Sequence, residues 1–443
     1  MESGGEHIPF AKPFIGPEEE AAVLRVLRSG WLTTGKEALA FEEEFRRFLQ
    51  DGPPGERFCL AVNSATSGLH LALEAARIGP RQAVFLPSYT FTSTAEVVRY
   101  LGAEAVFVDI APDSYNMDPR ALEAAVDAVA AGKTLGGPGT GPLRPRAVIP
   151  VHIGGFPCDM EGILAIARRR GLAVIEDAAH AFPARICMRT GEHVDQQTPH
   201  GVGPAQAAAI ENAEGPAKLN AAARGNAGPA APWAGTAGDA GVFSFYATKT
   251  ITTGEGGMVV TSRKDMAERI ALMRCHGIDR TIWNRYTAPG ASWYYEVQAP
   301  GFKYNLPDLL AALGRVQLSR AGELLAMREA IAARYDAAFA PLEGCVLSPP
   351  GGARHLYTLR LREPEKRDPF IEALARRGIG TSVHFIPLHL MPYYRDRYGL
   401  KAEDLPQSLA RFRETVSLPI WPGMTSGQVD RVIRGVIETL QNE

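Results

Sequence analysis

The sequence predicts an α/β protein, with a large domain built on a mostly parallel central sheet between helices and a small α+β domain at the carboxyl end. In the first half, short apolar runs alternate with helical patterns, an order typical of β-α-β units. After about residue 340, short strands and amphipathic helices follow without that alternation. Because parallel sheets bind ligands beyond the carboxyl ends of their strands, polar residues directly after each strand are the first functional candidates.

Each element of this fold has its own local pattern. Strands are predicted where short apolar runs lie between polar or glycine-containing turns, at residues 58–62, 83–87, 105–108, 147–151, 173–176, 241–245, 257–261 and 356–361. Helices are predicted where apolar residues recur at every third or fourth position, at residues 66–77, 92–101, 159–170, 264–275, 307–339, 369–377 and 426–440. The long pattern at 307–339 is expected to link the two domains.

The predicted organisation has three parts. Residues 1–30 form an N-terminal arm and helix that packs on the small domain, residues 31–310 form the large domain, and residues 311–443 form the linker helix and small domain. An insertion rich in alanine, glycine and proline interrupts the large domain at residues 185–234. Its composition lacks the large apolar side chains of a packed core, which favours a mobile surface insertion, with a lid over the site as the alternative.

Composition and charge exclude several classes of protein. The chain of 443 residues has a net charge of −2, which argues against a general nucleic-acid binder and against a protein attracted to anionic membranes. Its five cysteines are widely spaced, so we expect neither a disulfide framework nor a metal site. Neither a long apolar run nor the apolar segment of a signal peptide is present, and we therefore expect a cytoplasmic protein.

A lysine between two apolar strands is the strongest chemical signal. The strand at 241–245 runs into a polar turn that holds Lys249, and the glycine-rich residues 254–257 lead into the next strand. Desolvation lowers the pKa of a lysine, and the neutral amine is the form that makes a Schiff base. The alternative is an ordinary exposed lysine in a hairpin turn.

Asp177 and His180 follow another buried strand, at the edge where ligands bind. An anionic side chain at Asp177 can pair with a protonated ring nitrogen, and His180 can face the same pocket. The alternative is that Asp177 caps the start of a helix.

A third segment, residues 62–73, turns from a strand into a helix through small polar residues. Free amides and hydroxyl groups at a helix N-terminus bind phosphate, although plain capping by Ser64 or Thr66 is the simpler alternative. Phe91, after the next strand, can cover an aromatic ring or belong to the core. A Schiff-base lysine, an acid for a pyridinium nitrogen and a phosphate site together are what pyridoxal 5′-phosphate requires, so we expect this cofactor.

These segments, in this order, resemble the DegT family of sugar-nucleotide aminotransferases, which are fold-type I pyridoxal-phosphate enzymes. Further matching motifs lie at residues 29–35, 150–155, 301–308 and 378–385, so the resemblance covers nearly the whole chain. It implies the fold-type I architecture. Within the family, residues 64–66, 177–181 and 304–306 are most similar to the branch that makes UDP-4-amino-4-deoxy-L-arabinose.

The resemblance implies a role for each matching residue. Lys249 would hold the cofactor as an internal aldimine and carry the proton, Asp177 would keep the pyridine nitrogen protonated, and His180 would lie near the ring hydroxyl. The other implied cofactor contacts are Ala65, Thr66, Phe91, Ser244 and Asn305. By the same resemblance Asn305 would reach the phosphate of the neighbouring subunit in a homodimer. Thr33 and His384 would lie at the sugar, although His384 can also be a domain-interface histidine.

The resulting hypothesis is a ping-pong aminotransferase that moves an amino group from L-glutamate to a nucleotide-linked keto-sugar, at C4, in amino-sugar and polysaccharide biosynthesis. A C3-acting sugar or cyclitol aminotransferase is the main alternative. A pyridoxal-phosphate-binding sensor and a sugar dehydratase are weaker alternatives, because dehydratase relatives replace the lysine with histidine. The chain departs from the family at the insertion and at Phe91, where the lipid A branch carries tryptophan.

Overall fold

The computed structural model describes residues 6–51, 55–133, 141–186, 231–279 and 294–442. Within them the chain forms a seven-stranded sheet covered by helices and a three-stranded sheet with helices of its own. The predicted α/β class, with a mostly parallel large sheet and a small C-terminal α+β unit, is confirmed. Among the described helices, none is both long and apolar enough to cross a membrane.

The large sheet has the strand order β1-β7-β6-β5-β4-β2-β3. Its strands are β1 (Phe58–Val62), β2 (Gln82–Pro87), β3 (Glu104–Val108), β4 (Arg144–Val148), β5 (Ala173–Asp177), β6 (Ala240–Ser244) and β7 (Gly257–Thr261). Among these seven strands, only β7 runs antiparallel to its neighbours. All seven were predicted, but β4 begins and ends earlier than the predicted 147–151. It includes Pro145, which pairs with Ala83 beside a register shift, where a missing amide donor is tolerated.

Helices cover both faces of this sheet and bury one apolar cluster on each. They are α2 (Lys36–Phe48), α3 (Ala65–Ala75), α4 (Ser93–Tyr100), α5 (Pro119–Ala130), α6 (Met160–Arg170) and α7 (Lys264–Met273), whereas the preceding helix α1 (Pro17–Ser29) buries Ala22 and Val26 in a separate small cluster. Phenylalanine rings dominate one cluster, with Phe45 against both Phe182 and Phe243. The other cluster is largely aliphatic. A Cβ at Gly68 would lie 2.7 Å from Val242 Cγ1, so glycine there lets α3 lie directly on the sheet.

The predicted single helix at 307–339 is wrong, because the chain forms two helices that meet at Arg320. These are α8 (Asp308–Ser319) and α9 (Ala321–Phe339). Arg320 has φ −99° and ψ 4°, and its guanidinium group binds Glu19 of α1 and Glu323 of α9. The break turns α8 toward α1 and α2, whereas Tyr335 and Phe339 of α9 enter the core of the small domain. Gly322 lies two residues after the break, but a single glycine inside a helical pattern is tolerated, so the sequence pattern did not show the break.

The C-terminal part of the chain forms a three-stranded antiparallel sheet with helices beside it, except for the helix Pro392–Tyr398, whose Tyr394 and Tyr398 pack on the large domain. Its elements are β8 (Cys345–Val346), β9 (Tyr357–Leu361), α10 (Arg367–Arg376), α11 (Pro392–Tyr398), α12 (Pro406–Glu414), β10 (Thr415–Leu418) and α13 (Ser426–Asn442). The sheet order is β10-β9-β8. The N-terminal arm joins this domain, since Ile8 is fully buried and forms a parallel bridge with Ile379. Helix α1 instead packs on α8.

The insertion predicted at residues 185–234 is described only at its two ends, and these belong to the core of the large domain. Arg185 and Trp233 form an antiparallel bridge, and the Ile186 amide donates to Pro232 O at 2.9 Å. Trp233 is buried, with the Arg185 guanidinium 3.7 Å from its ring centroid. The inner residues 187–230 lie outside the described residues.

Candidate active site

The carboxyl edge of the large sheet brings four of the predicted segments together. The residues that follow β1, β2, β5 and β6 all emerge there, since these strands point the same way. Because β7 is antiparallel, its first residue, Gly257, lies at the same edge. The structure therefore places the segments of Thr66, Phe91, Asp177 and Lys249 where the strand order predicts a ligand site.

Lys249 lies in a turn that neighbouring threonines hold in place. The Lys249 amide donates to Tyr246 O at 2.9 Å, and the Thr250 hydroxyl donates to Phe182 O. Thr252 Oγ1 donates to Phe245 O at 3.0 Å and accepts from the Gly254 amide at 2.8 Å. The strand-turn-strand pattern thus produces a fixed turn.

The electrostatic surroundings of Lys249 favour its neutral amine. Burial lowers the pKa of Lys249 to about 8, opposed by the negative charge of Asp177 and assisted by the positive charge of Arg328. A lysine with this pKa is available as a nucleophile near neutral pH.

Asp177 is buried at the end of β5 and accepts two hydrogen bonds. The Thr94 hydroxyl donates to Oδ2 at 2.9 Å, and the Ala179 amide donates to Oδ1 at 3.2 Å. Burial raises the pKa of Asp177, and both donors and the charge of Lys249 act against that rise. The helix-cap alternative is wrong, because no helix begins in the described residues 178–186, where the chain turns instead.

His180 is held as a neutral ring that faces side chains from the small domain. The Gly154 amide donates to His180 Nδ1 at 3.2 Å, which leaves the ring proton on Nε2. Burial lowers its pKa well below the usual range. The His355 ring centroid lies 4.3 Å away, and the Phe385 ring stacks at 5.7 Å.

His384 lies where the two domains meet. Its Nδ1 is 3.0 Å from Ser417 Oγ, and the Tyr89 hydroxyl donates to its carbonyl oxygen at 2.6 Å. Its ring contacts Phe10 of the N-terminal arm and Phe385. Burial lowers its pKa to about 4, with a further contribution from Lys249. His384 is therefore a residue of the domain interface. It also lies close enough to Lys249 for a positive charge on the lysine to disfavour protonation of its ring.

The N-terminus of α3 offers backbone amides to an anion. Ser64 caps the helix by accepting from the Ser67 amide at 3.1 Å, as the capping alternative predicted. The amides of Ala65 and Thr66 have no acceptor among the described residues. A Cβ at Gly257 would lie 2.8 Å from Ala65 N, so β7 can approach this helix start because residue 257 is glycine.

Ser244 and Phe91 border the same edge. Ser244 is buried at the end of β6, pairs with Gly257 and accepts from the Tyr246 amide at 3.3 Å. Phe91 is 57% exposed, so the core-aromatic alternative is wrong. Its ring centroid lies 6.0 Å from that of Phe385.

Asn305 and Thr33 form a second group, beside the end of β1. Asn305 bridges to Val62 and donates from Nδ2 to Thr34 Oγ1 at 2.5 Å, while its Oδ1 is buried without a partner among the described residues. Thr33 is exposed, and its carbonyl oxygen accepts from the Asp308 amide at 3.2 Å. The contacts recorded for the described residues join neither Thr33 nor Asn305 directly to Lys249.

Three residues of this region were missed by the sequence reasoning: Thr94, Arg328 and His355. Thr94 is the second residue of α4, within a run of hydroxyl residues that does not reveal which one faces Asp177. His355 directly precedes a predicted strand, but nothing in its spacing relates it to His180. Arg328 lies in the helical pattern 307–339, where a basic residue ordinarily marks a solvated face.

The residues present fit pyridoxal 5′-phosphate. Asp177 has an ionisable carboxyl group for a ring nitrogen, Lys249 is an activated amine, and the unpaired amides of Ala65 and Thr66 are suited to a phosphate. The exposed ring of Phe91 is available for stacking.

Known proteins share both the sequence pattern and the fold. The profile of the DegT/DnrJ/EryC1/StrS aminotransferase family matches residues 13–198 and 220–437. The spore coat polysaccharide biosynthesis protein SpsC of Bacillus subtilis is 39% identical over 437 residues, which cover 97% of this chain and 96% of that protein.

Solved structures agree with this match. A putative sugar aminotransferase of Streptococcus pneumoniae, in its PLP form, is 26% identical with a TM-score of 0.77, and the alignment covers 98% of this chain and 99% of that one. S. venezuelae DesV, in complex with a ketimine intermediate, is 29% identical with a TM-score of 0.75 over 98% and 99% of the two chains.

Proposed function

Because the chain belongs to the DegT/DnrJ/EryC1/StrS aminotransferase family and is a pyridoxal-phosphate-dependent aminotransferase, we propose that it transfers the amino group of L-glutamate to C4 of a nucleotide-linked keto-sugar. The observation that carries this proposal is the shared position of Lys249, Asp177 and the α3 N-terminus at one sheet edge. It combines an activated amine, a buried acid and an anion site.

Lys249 is the proton carrier in this proposal. Its Nζ, with a pKa of about 8, takes the proton from the α-carbon of glutamate as a neutral amine. In the second half-reaction the protonated Nζ gives a proton to the sugar carbon that receives the amino group. Pyridoxal phosphate supplies, when bound, an electron-withdrawing ring that accepts the negative charge left by that proton. The hydrogen bonds of Thr250 and Thr252 fix the backbone of the turn, and this limits the positions that Nζ can reach.

Asp177 and His180 set the charge and the hydrogen bonds around the pyridine ring of the cofactor. Asp177 keeps a ring nitrogen protonated through its negative charge, and Thr94 orients that carboxylate through Oδ2. His180 is neutral, and its remaining ring proton on Nε2 is available to the ring hydroxyl. Phe91 stacks on the ring face, and Ser244, Ala65 and Thr66 bind the phosphate.

The sugar side of the proposal rests on the second group of residues and on His384. Thr33, exposed beside Asn305, contacts the sugar, as does His384. Asn305 donates to the phosphate of the neighbouring subunit, in a cytoplasmic homodimer, through the Nδ2 hydrogen that is not used by Thr34. The name of the B. subtilis relative, a spore coat polysaccharide biosynthesis protein, supports a nucleotide-linked sugar as the acceptor.

The test separates the two half-reactions. L-glutamate, added to the purified protein with bound cofactor, should convert the cofactor to its amino form and release one equivalent of 2-oxoglutarate. A panel of nucleotide-linked 4-keto-sugars, 3-keto-sugars and keto-cyclitols should then restore the original spectrum. A response to 3-keto compounds alone contradicts C4, and the absence of any donor response contradicts the proposed glutamate reaction.

A further inference from the structure

Arg328 of α9 is a buried guanidinium group with no acidic partner among the described residues. It is 2% exposed. Nη1 donates to Ile420 O at 2.8 Å and makes longer contacts of 3.4 Å with the carbonyl oxygens of Arg354 and His355. Nε is buried without a partner among the described residues.

Two carboxyl groups of α9, those of Glu329 and Asp336, interact with a different arginine, Arg354. Asp336 lies 3.6 Å from Arg354, and Arg354 is also the charge that acts on Glu329. Burial is the single cause that shifts the pKa of Arg328, to about 10. An unpaired buried charge is costly, so its presence calls for a compensating role.

The active site lies within the field of this charge. Arg328 acts on Lys249 and His355, and the other groups facing Lys249 are Asp177, His180 and His384. Of these groups, Asp177 is the acid and the histidines are neutral. Arg328 is therefore the permanent positive charge among the described groups that act on the lysine.

We propose that Arg328 is a positioning residue of the active site: it fixes the backbone on both sides of His355 and places a permanent positive charge behind the His180–His355 pair and Lys249. This inference rests on the proposed role of Lys249. Its charge disfavours protonation of Lys249 and of His355, and its contacts with the carbonyl oxygens of Arg354 and His355 hold the backbone that places the His355 ring against His180.

The experiment measures the lysine in the protein without cofactor, so that it needs no turnover. Competitive acetylation with acetic anhydride across pH 6–11, followed by peptide mass spectrometry, reports the protonation midpoint of Lys249. The variants are Arg328→Gln, which keeps a donor but loses the charge, and Arg328→Lys, which keeps the charge. Arg367→Met is the matched control, because Arg367 is also buried and donates to a backbone carbonyl, Phe412 O, but has the acidic partner Asp368.

The wild-type midpoint should lie near pH 8. Arg328→Gln should raise it by about one half to one pH unit, since a unit charge in a protein interior has an effect of that order. Arg328→Lys should restore the wild-type midpoint, and Arg367→Met should leave it unchanged.

An unchanged midpoint in folded Arg328→Gln overturns the proposal, and so does an equal rise in Arg328→Lys. If Arg328→Gln does not fold, Arg328→Lys decides: a raised midpoint contradicts the role of the charge, and an unchanged midpoint supports it. A wild-type midpoint near the ordinary lysine value would instead contradict the proposed activation of Lys249, which is a distinguishable failure.

Discussion

The Thr94 hydroxyl donates a 2.9 Å hydrogen bond to Oδ2 of Asp177, and this bond joins the start of α4 to the end of β5. Residue 94 follows β2, and β4 separates β2 from β5 in the sheet. The orientation of the central carboxylate therefore depends on a helix start two strands away, which also carries Phe91, the proposed stacking residue.

Asp177→Asn should reduce turnover by at least about 100-fold while the protein stays folded, because the amide has no negative charge to keep a ring nitrogen protonated. Steady-state rates and the thermal midpoint of unfolding test this. Thr94→Val, which removes the donor but keeps the carboxylate, should have a smaller effect of about tenfold. Near-normal turnover in Asp177→Asn would remove this residue from the proposed mechanism.

Cofactor affinity should fall as the pH decreases through the pKa of Asp177, which burial raises above its ordinary value. The sign follows from the charge: the ionised carboxylate attracts the protonated ring, and protonation on the acid side removes that attraction. Equilibrium binding of pyridoxal phosphate, followed by fluorescence from pH 4 to pH 8, measures the effect. Asp177→Asn should bind more weakly and lose this pH dependence. A wild-type curve that the variant reproduces would refute the assignment.

Lys249→Ala should abolish turnover and covalent attachment of the cofactor. Borohydride reduction followed by peptide mass spectrometry should find pyridoxyl label on the peptide of Lys249 in the wild type, and none there in the variant. Lys303→Ala is the control, because Lys303 is an exposed lysine two residues before Asn305. Retained label at another lysine together with retained turnover would show that Lys249 is not the attachment site.

Asn305 can be tested by mixing subunits. A hybrid dimer of one Lys249→Ala subunit and one Asn305→Ala subunit contains one complete site if Asn305 acts across the interface. Its activity should be about half that of the wild type, whereas each homodimer is inactive or strongly impaired. If Asn305 acts within its own subunit, the hybrid has no complete site and its activity stays at the level of the parents.

Glu176→Gln should destabilise the large domain by about 3 kcal/mol, because the Glu176 carboxylate accepts four hydrogen bonds in a fully buried position. The donors are the amides of Gly235, Ala237 and Gly238 and the Nε2 of His152, at 2.7 to 3.0 Å. An amide group would turn its own N–H atoms toward two of these donors. Denaturant unfolding measures the change.

Glu123→Gln is the control for that experiment, because Glu123 pairs with Arg169 on the surface, where an ion pair contributes little. We expect the control to remain within about 0.5 kcal/mol of the wild type. Equal stability of the Glu176 variant would contradict the proposed importance of the four bonds.

Local patterns predicted most of the large sheet, because strand periodicity and flanking turns are properties of adjacent residues. The strands β1 and β7 have their predicted bounds. The turn of Lys249 and the helix start at Ala65 were likewise visible, since each lies within one continuous segment. The break at Arg320 was not visible, because it depends on the packing of α8 against α1 and on the distant partner Glu19.

The sequence by itself determined the fold class, the family resemblance and the candidates Lys249 and Asp177. The tertiary structure decided which side chains surround these candidates. Thr94 donates to Asp177, His355 lies beside His180, and Arg328 contacts the carbonyl oxygens of Arg354 and His355. These residues lie on separate elements, and neither spacing nor composition records the distance between two elements. Burial and charge act through space, so the pKa of Lys249 is a property of the folded chain rather than of its local sequence.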